Sequence, residues 1–476
     1  MPLDNPFFER ILAQEAPGGQ PTRLSVVAPS VVEVGESFPL RLAALDRVGY
    51  PSIECDAEAL ARDASAIGIA KCVRFEPGRP AVHQIDGAVL REKGVRRLAF
   101  ELGHETFFSN PIQVVEQAHE RIWWGDPHVH TILSRCHWQA CRSLNFCFIC
   151  ARHVIGLDWV CAADHVSNGR SDVSKWKAQR IAARLFDDPP HFATLLGYEA
   201  SLKGGAGGDN NVYFADDADA WEDAYEDGDT RTLCERLGDQ DFIIVPHHTT
   251  RPGKHGELND ETYLGPERMP VVEIHSKWGT SEYRGNPNPL HEIHPGPAYV
   301  QDLLVRGYPL GFIAGTDTHA TIPSGFGEDS SHIDRLPGLT AVYAPSLSRP
   351  NVYRGMQRRQ CYATSFERIL IDAHIADHVM GSHVHGVAPR TPRRVRALIA
   401  AESDIERIDV VRNGQDVHML QGSGWRTELD WTDEDDLADV AFGPNAAQPR
   451  PFVYYYLRVT CASGAQAWTS PVWLNL

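Results

Sequence analysis

The sequence has no long apolar run and no excess of basic residues. None of its apolar stretches reaches the about 18–20 residues that a helix needs to cross a bilayer, so no membrane span is expected. Lys and Arg number 45 against 63 Asp and Glu, which gives a net charge of −18. Because nucleic acids are bound by clustered Lys and Arg, this charge disfavours them as partners. The first residues carry no basic segment followed by an apolar stretch, so we expect a cytoplasmic protein.

The number of cysteines is unexceptional for this length, but they are unevenly spread. Of the ten cysteines, four lie close together, at Cys136, Cys141, Cys147 and Cys150. A structural zinc site is one interpretation of this group. Residues 144–154, however, have the pattern of an apolar helix, in which cysteine packs as a small hydrophobic residue. We therefore favour reduced and mostly buried thiols, as is usual in a reducing compartment.

A chain of 476 residues exceeds one ordinary hydrophobic core, and its pattern divides into three regions. Residues 1–119 read as short strands separated by turns and predict an N-terminal β-domain. Residues 120–365 alternate short apolar strands with helices, which indicates a parallel sheet or barrel. Helices are expected at residues 174–186, 230–237 and 297–306. Residues 366–476 return to strands, with a hairpin signal at Asn413-Gly414, and predict a C-terminal β-domain.

The most informative motif is the pair of histidines His128 and His130. Two side chains one residue apart on an extended strand point to the same side, where one metal cluster can use both imidazoles. With 22 histidines in the chain, such a pair is weak evidence when it stands alone. A second pair, His383 and His385, begins the C-terminal region without carboxylates after it, and we interpret it as surface residues.

Polar side chains follow at once on the later apolar strands of the middle region. In chain order these are Asp164 and His165, Glu199, His247 and His248, Glu273 and His275, and Asp317 and His319. The carboxyl ends of parallel barrel strands meet at one mouth, where active sites are built. Because buried charges are costly unless they are paired or bind metal, this pattern predicts a metal site.

The types of these side chains narrow the metal and the reaction. Mixed imidazole and carboxylate ligands suit zinc, manganese or iron(II). The set is too large for one ion and suits two or three. Clustered divalent ions activate a water molecule and stabilise negative charge on oxygen, which indicates hydrolysis, most naturally of a phosphate ester.

The order of the motifs resembles that of the PHP (polymerase and histidinol phosphatase) superfamily. The similarity covers about residues 120–365, and the wider pattern resembles a branch with β-domains on both sides. The resemblance implies an α/β fold: a distorted (β/α)7 TIM-like barrel with up to three metal ions, flanked by N- and C-terminal β-sandwich-like domains. The domains are then expected at residues 1–119, 120–365 and 366–476.

Carried over by position, the resemblance implies a set of metal ligands. They are His128, His130, His165, Glu199, His247, Asp317 and His319. Asp164 either binds metal or orients His165 from behind, and His248 either replaces His247 as a ligand or contacts substrate. Asp209 stands where the pattern supplies a further histidine, so either Asp209 binds metal directly or one ion is lost.

Several basic residues near the motifs are candidates for binding an anionic substrate. Arg135, just after the histidine pair, could clamp a phosphate through both guanidinium nitrogens, although a surface role is equally consistent. Lys277 and Arg251 could neutralise an anionic group, and His137 could donate a proton. As catalytic residues we expect Asp317, His248 and Arg135.

The leading hypothesis is a metal-dependent phosphoesterase that uses a metal-bridging hydroxide as nucleophile on a small, anionic phosphate ester. The first alternative keeps the metal ions but cleaves an amide, lactone or ester, since a fold does not fix its substrate. The second is a non-catalytic binding protein. The flanking β-domains either shape the mouth of the barrel or mediate homo-oligomerisation.

Overall fold

Strands outnumber helices in the part of the chain that the computed structural model describes. That part comprises residues 5–136, 140–167, 169–203, 205–251, 255–256, 258–290, 298–325 and 335–476. Its secondary structure is mixed α/β, with few and mostly short helices. No helix in those ranges is both long enough and apolar enough to cross a membrane.

The first region, up to residue 119, is built from small sheets. Its elements are α1 (Pro6–Glu15), β1 (Arg23–Val27), β2 (Val31–Glu33), β3 (Ser37–Leu45), β4 (Ala57–Ala61), α2 (Ala64–Ile67), β5 (Cys72–Phe75), β6 (Val82–Val89), β7 (Gly94–Arg96), β8 (Ala99–Leu102), β9 (Glu105–Phe108) and β10 (Ile112–Val115). Strands β1, β3 and β6 form one sheet, β2, β10 and β7 a second, and β5, β4, β8 and β9 a third. Along β3, alternate residues Phe38, Leu40 and Leu42 are buried, as expected for a strand with one face on a core.

The middle region contains most of the helices. Its elements are β11 (Arg121–Val129), a 3-10 helix (Ile132–Ser134), α3 (Leu144–Ile149), a π-helical turn (Cys150–Ile155), β12 (Trp159–Ala162), α4 (Val173–Phe186), β13 (Ala193–Ser201), β14 (Asp209–Phe214), α5 (Thr230–Leu237), β15 (Phe242–Pro246), β16 (Val271–Ser276), β17 (Gly279–Thr280), α6 (Val300–Val305), β18 (Gly311–Ala314), β19 (Gly338–Ala344), α7 (Arg349–Gln357) and β20 (Cys361–Ser365). Nearly every residue of these strands is buried, because helices or other sheets cover both faces.

The last region shares a sheet with the middle region. Its elements are β21 (Leu370–Ile375), β22 (His378–Val379), β23 (His383–His385), β24 (Arg393–Ala400), β25 (Ile405–Arg412), β26 (Gln415–Gln421), β27 (Arg426–Asp433), α8 (Leu437–Val440), β28 (Phe452–Cys461), β29 (Gln466–Thr469) and β30 (Val472–Asn475). A 13-stranded sheet runs in the order β15-β14-β13-β12-β11-β19-β20-β29-β28-β25-β26, with β30 beside β28 and β23 beside β30. The two regions are joined where β20 pairs with β29, at Tyr362 and Thr469.

A barrel of repeated parallel strand–helix units is not evident in the described residues. Parallel pairing joins β11 to β12, β12 to β13 and β16 to β18, whereas β14, β15 and β19 pair antiparallel with their neighbours. Strands β16 and β18 form a separate sheet with β17. The expected repeat fails between β13 and β14 because only residues 202–208 join them, and a parallel crossover takes about a dozen residues or more.

Helix bounds follow the capping residues. Helix α5 spans residues 230–237 as predicted, and the Asp229 carboxylate accepts the Thr232 N–H at 2.8 Å in front of it. Asp172 caps α4 in the same way, one residue earlier than predicted. Helix α6 begins at Val300, and Pro297, its predicted first residue, lies outside the described residues.

The prediction of buried thiols is confirmed for Cys141, Cys147, Cys150 and Cys161, whereas Cys136 is only half-buried. Cys147, Cys150 and Cys161 are fully buried, and all ten cysteines are free. Of the second histidine pair, His385 is exposed as expected, whereas His383 is half-buried in β23 and its Nε2 lies 2.6 Å from Asn475 Oδ1. Within the described residues, this pair belongs to no group of candidate metal ligands.

His153, in the π-helical turn, should make folding sensitive to acid. Its ring packs 5.4 Å from the Phe8 ring, and burial, reinforced by Arg152 and Arg41, lowers its pKa to about 3. Below the unfolded pKa of about 6.5, the unfolded chain therefore binds a proton that the folded chain does not, so stability falls as the pH falls towards 3. At pH 5 we expect a loss of about 2 kcal/mol relative to pH 7 from this residue.

This prediction is checked by thermal unfolding between pH 5 and pH 7. The His153→Asn variant, which cannot titrate, should show a shallower dependence of its unfolding temperature on pH than the wild type. His104→Asn, at an exposed position, is the control and should keep the wild-type slope. Equal slopes for His153→Asn and the wild type would contradict the prediction.

Candidate metal centre

Strand ends that are far apart in the sequence meet at one point. The chain leaving β11 lies beside the chain leaving β18: the His130 N–H donates to a carbonyl of that segment at 3.0 Å, and the Asp317 N–H donates to the His128 carbonyl at 2.8 Å. On the other side, a β-bridge joins His165, after β12, to Glu199 in β13. The structure thus brings these predicted strand ends together.

The Glu199 carboxylate lies at the middle of the group. Its Oε2 atom is 2.6 Å from His165 Nδ1, 3.3 Å from His130 Nε2 and 3.8 Å from His128 Nε2. Its Oε1 atom is 3.2 Å from His247 Nε2. The side chain is only 3% exposed, so four imidazoles surround one largely buried carboxylate.

Asp317 faces Glu199 across the same histidines. Its Oδ1 atom is 3.0 Å from His130 Nε2 and 3.6 Å from His128 Nε2, and its Oδ2 atom is 3.2 Å from His248 Nε2. Asp317 has a positive φ of 50°, a backbone conformation that residues other than glycine seldom adopt. This strain is consistent with a residue that is held in place for a function.

Many polar atoms at this point have no hydrogen-bond partner among the described residues, although they are buried. They are His128 Nε2, His165 Nδ1, Glu199 Oε2, Asp209 Oδ1, both ring nitrogens of His247 and of His248, and Glu273 Oε1. Their contacts are close but not aligned for hydrogen bonding. Because nearly all buried polar groups in proteins are satisfied, these atoms fit ligands that converge on cations.

The ligand atoms fall into four groups within which all distances are 4.8 Å or less. The groups are His130 with Cys136, His165 and His319; His128 with His130 and Glu199; His128 with His247 and Asp317; and Asp209 with His247 and His248. Of the ligands expected from sequence, only Asp164 belongs to none of them. The donor set of imidazoles and carboxylates is suited to divalent ions such as zinc, manganese and iron.

Both central carboxyl groups are held in the ionised form. Burial alone would raise the pKa of Glu199, but the charge of His165 and close contacts with neighbouring imidazoles hold it well below its ordinary value. Burial would also raise the pKa of Asp317, but His128 and the adjacent imidazoles hold it well below its ordinary value. Ionised carboxylates are the form that binds metal ions.

Asp164 lies behind the centre and holds its frame. Its carboxylate accepts the Thr131 N–H at 2.6 Å and the Ser134 hydroxyl at 2.6 Å. The Ser134 oxygen in turn lies 2.9 Å from His130 Nδ1 and accepts the His165 N–H at 3.1 Å. Of the two roles considered for Asp164, its contacts fit the supporting one, and they reach His130 as well as His165.

Two further carboxylates support the centre. Glu273 Oε2 lies 3.1 Å from His128 Nδ1, which leaves Nε2 of that ring facing Glu199 and Asp317. Asp126 accepts the His128 N–H at 3.0 Å and the Thr316 hydroxyl at 2.5 Å, and burial raises its pKa to about 6. Sequence reasoning missed Asp126, although it stands two residues before His128 on the same strand.

Asp209 reaches the centre, at the place where a histidine was expected. Its Oδ1 atom is one of the buried atoms without a hydrogen bond in the described residues, and its Oδ2 atom lies 2.5 Å from His255 Nδ1. His255 was not predicted, because it follows no strand and only its contact with Asp209 reveals it. Sequence alone carries no signal for such a contact between the first residue of β14 and a distant segment.

A cavity of about 290 Å³ opens onto the centre. Of the three basic side chains predicted to bind substrate, only one lines this cavity. Arg251 borders the cavity, with its guanidinium carbon 5.4 Å from the ring centroid of Trp278. Arg135 does not, because it ends the 3-10 helix with a φ of 54° and forms an ion pair with Asp172 at 3.2 Å. Lys277 is buried away from the lining. His137 lies outside the described residues.

The unpredicted lining residues include a cysteine and an arginine. Cys136 and Arg170 both border the cavity, beside His165 and His319. A hydrogen bond with the Cys141 thiol lowers the pKa of Cys136 most strongly. Burial acts to raise this pKa, but the imidazoles of His165 and His319 also lower it, and the net shift is downward. From sequence, Cys136 was considered as one of four cysteines of a structural zinc site, and buried thiols were favoured instead.

Comparison of the sequence with known proteins finds relatives in Chlamydia. An uncharacterised protein of Chlamydia muridarum is 34% identical over 218 residues, which are 43% of this chain and 34% of that protein. An uncharacterised protein of Chlamydia pneumoniae is 26% identical over 399 residues, which are 81% of this chain and 63% of that protein. The chain spans less than two thirds of the length of both relatives. No family model matches the chain.

Comparison with solved structures gives loose similarities. A two-domain protein of Bacteroides vulgatus, described as containing a predicted PHP-like metal-dependent phosphoesterase, has 12% identity and a TM-score of 0.34. The match covers 71% of this chain and 91% of that one. A Bacteroides uniformis β-glucuronidase matches 95% of this chain and 60% of its own, with 11% identity and a TM-score of 0.20. Neither score is high enough to assign a fold.

Replacement of Glu199 by Gln should remove most bound metal. The neutral amide cannot offset the charge of buried cations, and loss of a supporting residue alone costs about 10- to 100-fold in metal affinity. We therefore expect two or three divalent ions per wild-type chain and an affinity at least about 10-fold lower in the variant. Elemental analysis and metal titration of the purified proteins measure both.

The matched control is Glu226→Gln, at an exposed glutamate that pairs with Lys203. This variant should bind metal like the wild type. A wild-type stoichiometry of one ion or fewer per chain would contradict the prediction of a cluster.

Proposed function

We propose that this protein is a metal-dependent hydrolase of the PHP superfamily and that it cleaves a small phosphate ester. One observation carries the proposal: buried imidazole nitrogens and ionised carboxylates without hydrogen bonds, in the described residues, converge beside a cavity. Residues 120–365 would form the metal-binding domain, between β-domains at residues 1–119 and 366–476.

The packing of the strands is consistent with a distorted form of the PHP barrel. Hydrogen bonds link β15, β14, β13, β12, β11 and β19 in that order. Strand β16 packs beside β15 and pairs with β18, which packs beside β19. In this proposal the ring of the barrel closes through side-chain packing at two places where hydrogen bonds between strands are absent from the described residues.

The four ligand groups described above would hold two or three divalent ions of zinc, manganese or iron. When bound, such ions activate water as a nucleophile and stabilise the negative charge of phosphoryl oxygens. Glu199 and Asp317 are central to this role, because each contacts imidazoles that belong to different groups. His248 is buried, and burial lowers its pKa, so its neutral ring is available either as a ligand or as a substrate contact.

The cavity sets the size and charge of the proposed substrate. Its volume of about 290 Å³ suits a small molecule. Arg251 and Arg170 on the lining would neutralise an anionic group, and Trp278 offers an apolar surface. Orientation of the ester would therefore depend on Arg251, whereas Arg135 is engaged by Asp172.

The proposal predicts hydrolysis of a generic aryl phosphate that requires metal. A chelator should abolish turnover, and manganese or zinc should restore it. Asp317→Asn should lower kcat/KM by at least about 100-fold, since supporting residues of metal sites alone contribute up to that much. Asp216→Asn, at an exposed aspartate, is the control for charge.

Absence of turnover across a broad panel of phosphomonoesters and phosphodiesters would contradict the phosphoesterase proposal. Metal-dependent cleavage of esters, lactones or amides in the same buffers would instead identify the alternative hydrolase. If Asp317→Asn left the biological function intact and lowered only the unfolding temperature, the centre would be a structural one.

Mutation of Arg251 and of Arg135 compares their contributions to substrate binding. Arg251→Ala should raise KM by about 10- to 100-fold, the equivalent of a hydrogen bond to a charged group. Its kcat should change little, because Arg251 lies at the cavity and not among the metal ligands. Arg135→Ala should raise KM far less. Steady-state kinetics with the aryl phosphate measures both, and the opposite ranking would contradict the proposed orientation.

A further inference from the structure

We infer that Cys136 supplies a thiolate ligand to the metal centre, together with His165 and His319. This rests on the proposed function, in that it assumes that the centre binds divalent ions. It adds a residue type that the sequence pattern of imidazoles and carboxylates did not include. One position of the cluster would then have nitrogen and sulfur ligands, whereas the others have nitrogen and oxygen.

The placement of Cys136 carries this inference. Its sulfur and one ring nitrogen each of His130, His165 and His319 lie within 4.8 Å of one another. Cys136 also lines the cavity, so a cation bound there would face the proposed substrate. The Cys141 sulfur lies 3.3 Å from the Cys136 carbonyl oxygen and 3.1 Å from the His319 carbonyl oxygen, so its single S–H lies between these two chain segments.

The hydrogen bonds of His130 decide which residues share the ion. Its Nδ1 atom contacts Ser134 Oγ at 2.9 Å, and its Nε2 atom lies 3.0 Å from Asp317 Oδ1 and 3.3 Å from Glu199 Oε2. The available nitrogen of His130 is therefore directed towards the carboxylates. Cys136, His165 and His319 remain as three ligands, the number that a catalytic zinc site uses when it keeps one position open.

Glu199 gives independent support for a cation at this place. Its Oε2 atom is buried, lies 2.6 Å from His165 Nδ1 and has no hydrogen bond among the described residues. A cation held by Cys136, His165 and His319 would be a neighbour of this oxygen. Because Glu199 also belongs to the group with His128 and His130, its carboxylate would offset the charge of cations in both groups.

The inference has a consequence for metal selectivity. Thiolate is a softer ligand than carboxylate and favours zinc over manganese. Asp209, with His247 and His248, forms a harder group on another side of the centre. The cluster would therefore hold chemically different ions, or the same ion with different affinities.

Cobalt(II) is the probe for this thiolate. The full chain is stripped of metal with a chelator and titrated with cobalt, and absorption is recorded in the near ultraviolet, where cobalt–thiolate charge transfer appears. Wild type and Cys234→Ser, at a half-buried cysteine of α5, should develop this band. Cys136→Ser should lose it and should bind the ion at least about 10-fold more weakly.

A second measurement needs no variant. Alkylation of the wild type with iodoacetamide, followed by peptide mass spectrometry, should modify Cys136 at least about 10-fold more slowly when zinc is bound, because the thiolate is the reacting species. Circular dichroism shows whether Cys136→Ser is folded. Metal binding without a charge-transfer band, a band that persists in Cys136→Ser, or equal alkylation with and without zinc would overturn the inference.

These outcomes are separable from those of the phosphatase assay. A cobalt–thiolate band without turnover of any phosphate ester would keep the ligand and reject the phosphoesterase. Turnover without a band would keep the phosphoesterase and reject Cys136 as a ligand.

Discussion

A buried negative charge among imidazoles is the constraint on which the centre of this molecule depends. The Glu199 carboxylate is almost inaccessible and touches the rings of His130, His165 and His247. Such a charge is unfavourable in a protein interior unless positive charge lies beside it, either on the histidines or on ions bound among them. The ends of β11, β12, β13 and β15 must therefore be held in register, and main-chain hydrogen bonds between neighbouring segments do so.

A buried ion-pair network elsewhere in the chain differs from this centre in how its atoms are paired. Arg458 and Glu282 are also buried, but their atoms are paired: the arginine reaches Glu282 at 2.9 Å, and Tyr456 and Trp468 donate to the same carboxylate at 2.6 and 2.7 Å. Around Glu199 the distances are similar, yet the atoms are not aligned for hydrogen bonds. That difference is what a set of ligands prepared for cations would show.

The supporting residues have the opposite character to the ligands. Asp126 and Asp164 use their oxygens for backbone N–H groups and hydroxyls of two segments, the end of β11 with the residues after it and the residues after β18. These hydrogen bonds orient the segments that carry the ligands, as the outer shell does in other metal sites.

Features set by neighbouring residues could be predicted from the sequence, whereas features set by contacts between distant segments could not. Helix α5 was predicted correctly, because capping residues are read within a few neighbours. Asp164, His247 and Asp317 follow their strands as expected, whereas Glu199 and Glu273 lie inside β13 and β16. The antiparallel β14 was missed, since an alternating pattern of strands and helices does not reveal the direction of a strand. Arg135 and His255 were misjudged or overlooked because an ion pair with Asp172 and a contact with Asp209 join separate segments.

The shared sheet links the order of synthesis to the assembly of the centre. Strand β18, which leads to Asp317, is held from behind by Ser470, whose hydroxyl accepts the Phe312 N–H at 2.9 Å and donates to the Cys361 carbonyl at 2.5 Å. Strand β29, just before Ser470, completes the pairing of β20. While the chain is being made, β18 and β20 lack these partners until residue 470 has left the ribosome. We therefore expect the centre to assemble late, because pairings of high sequence separation are of the kind that form slowly.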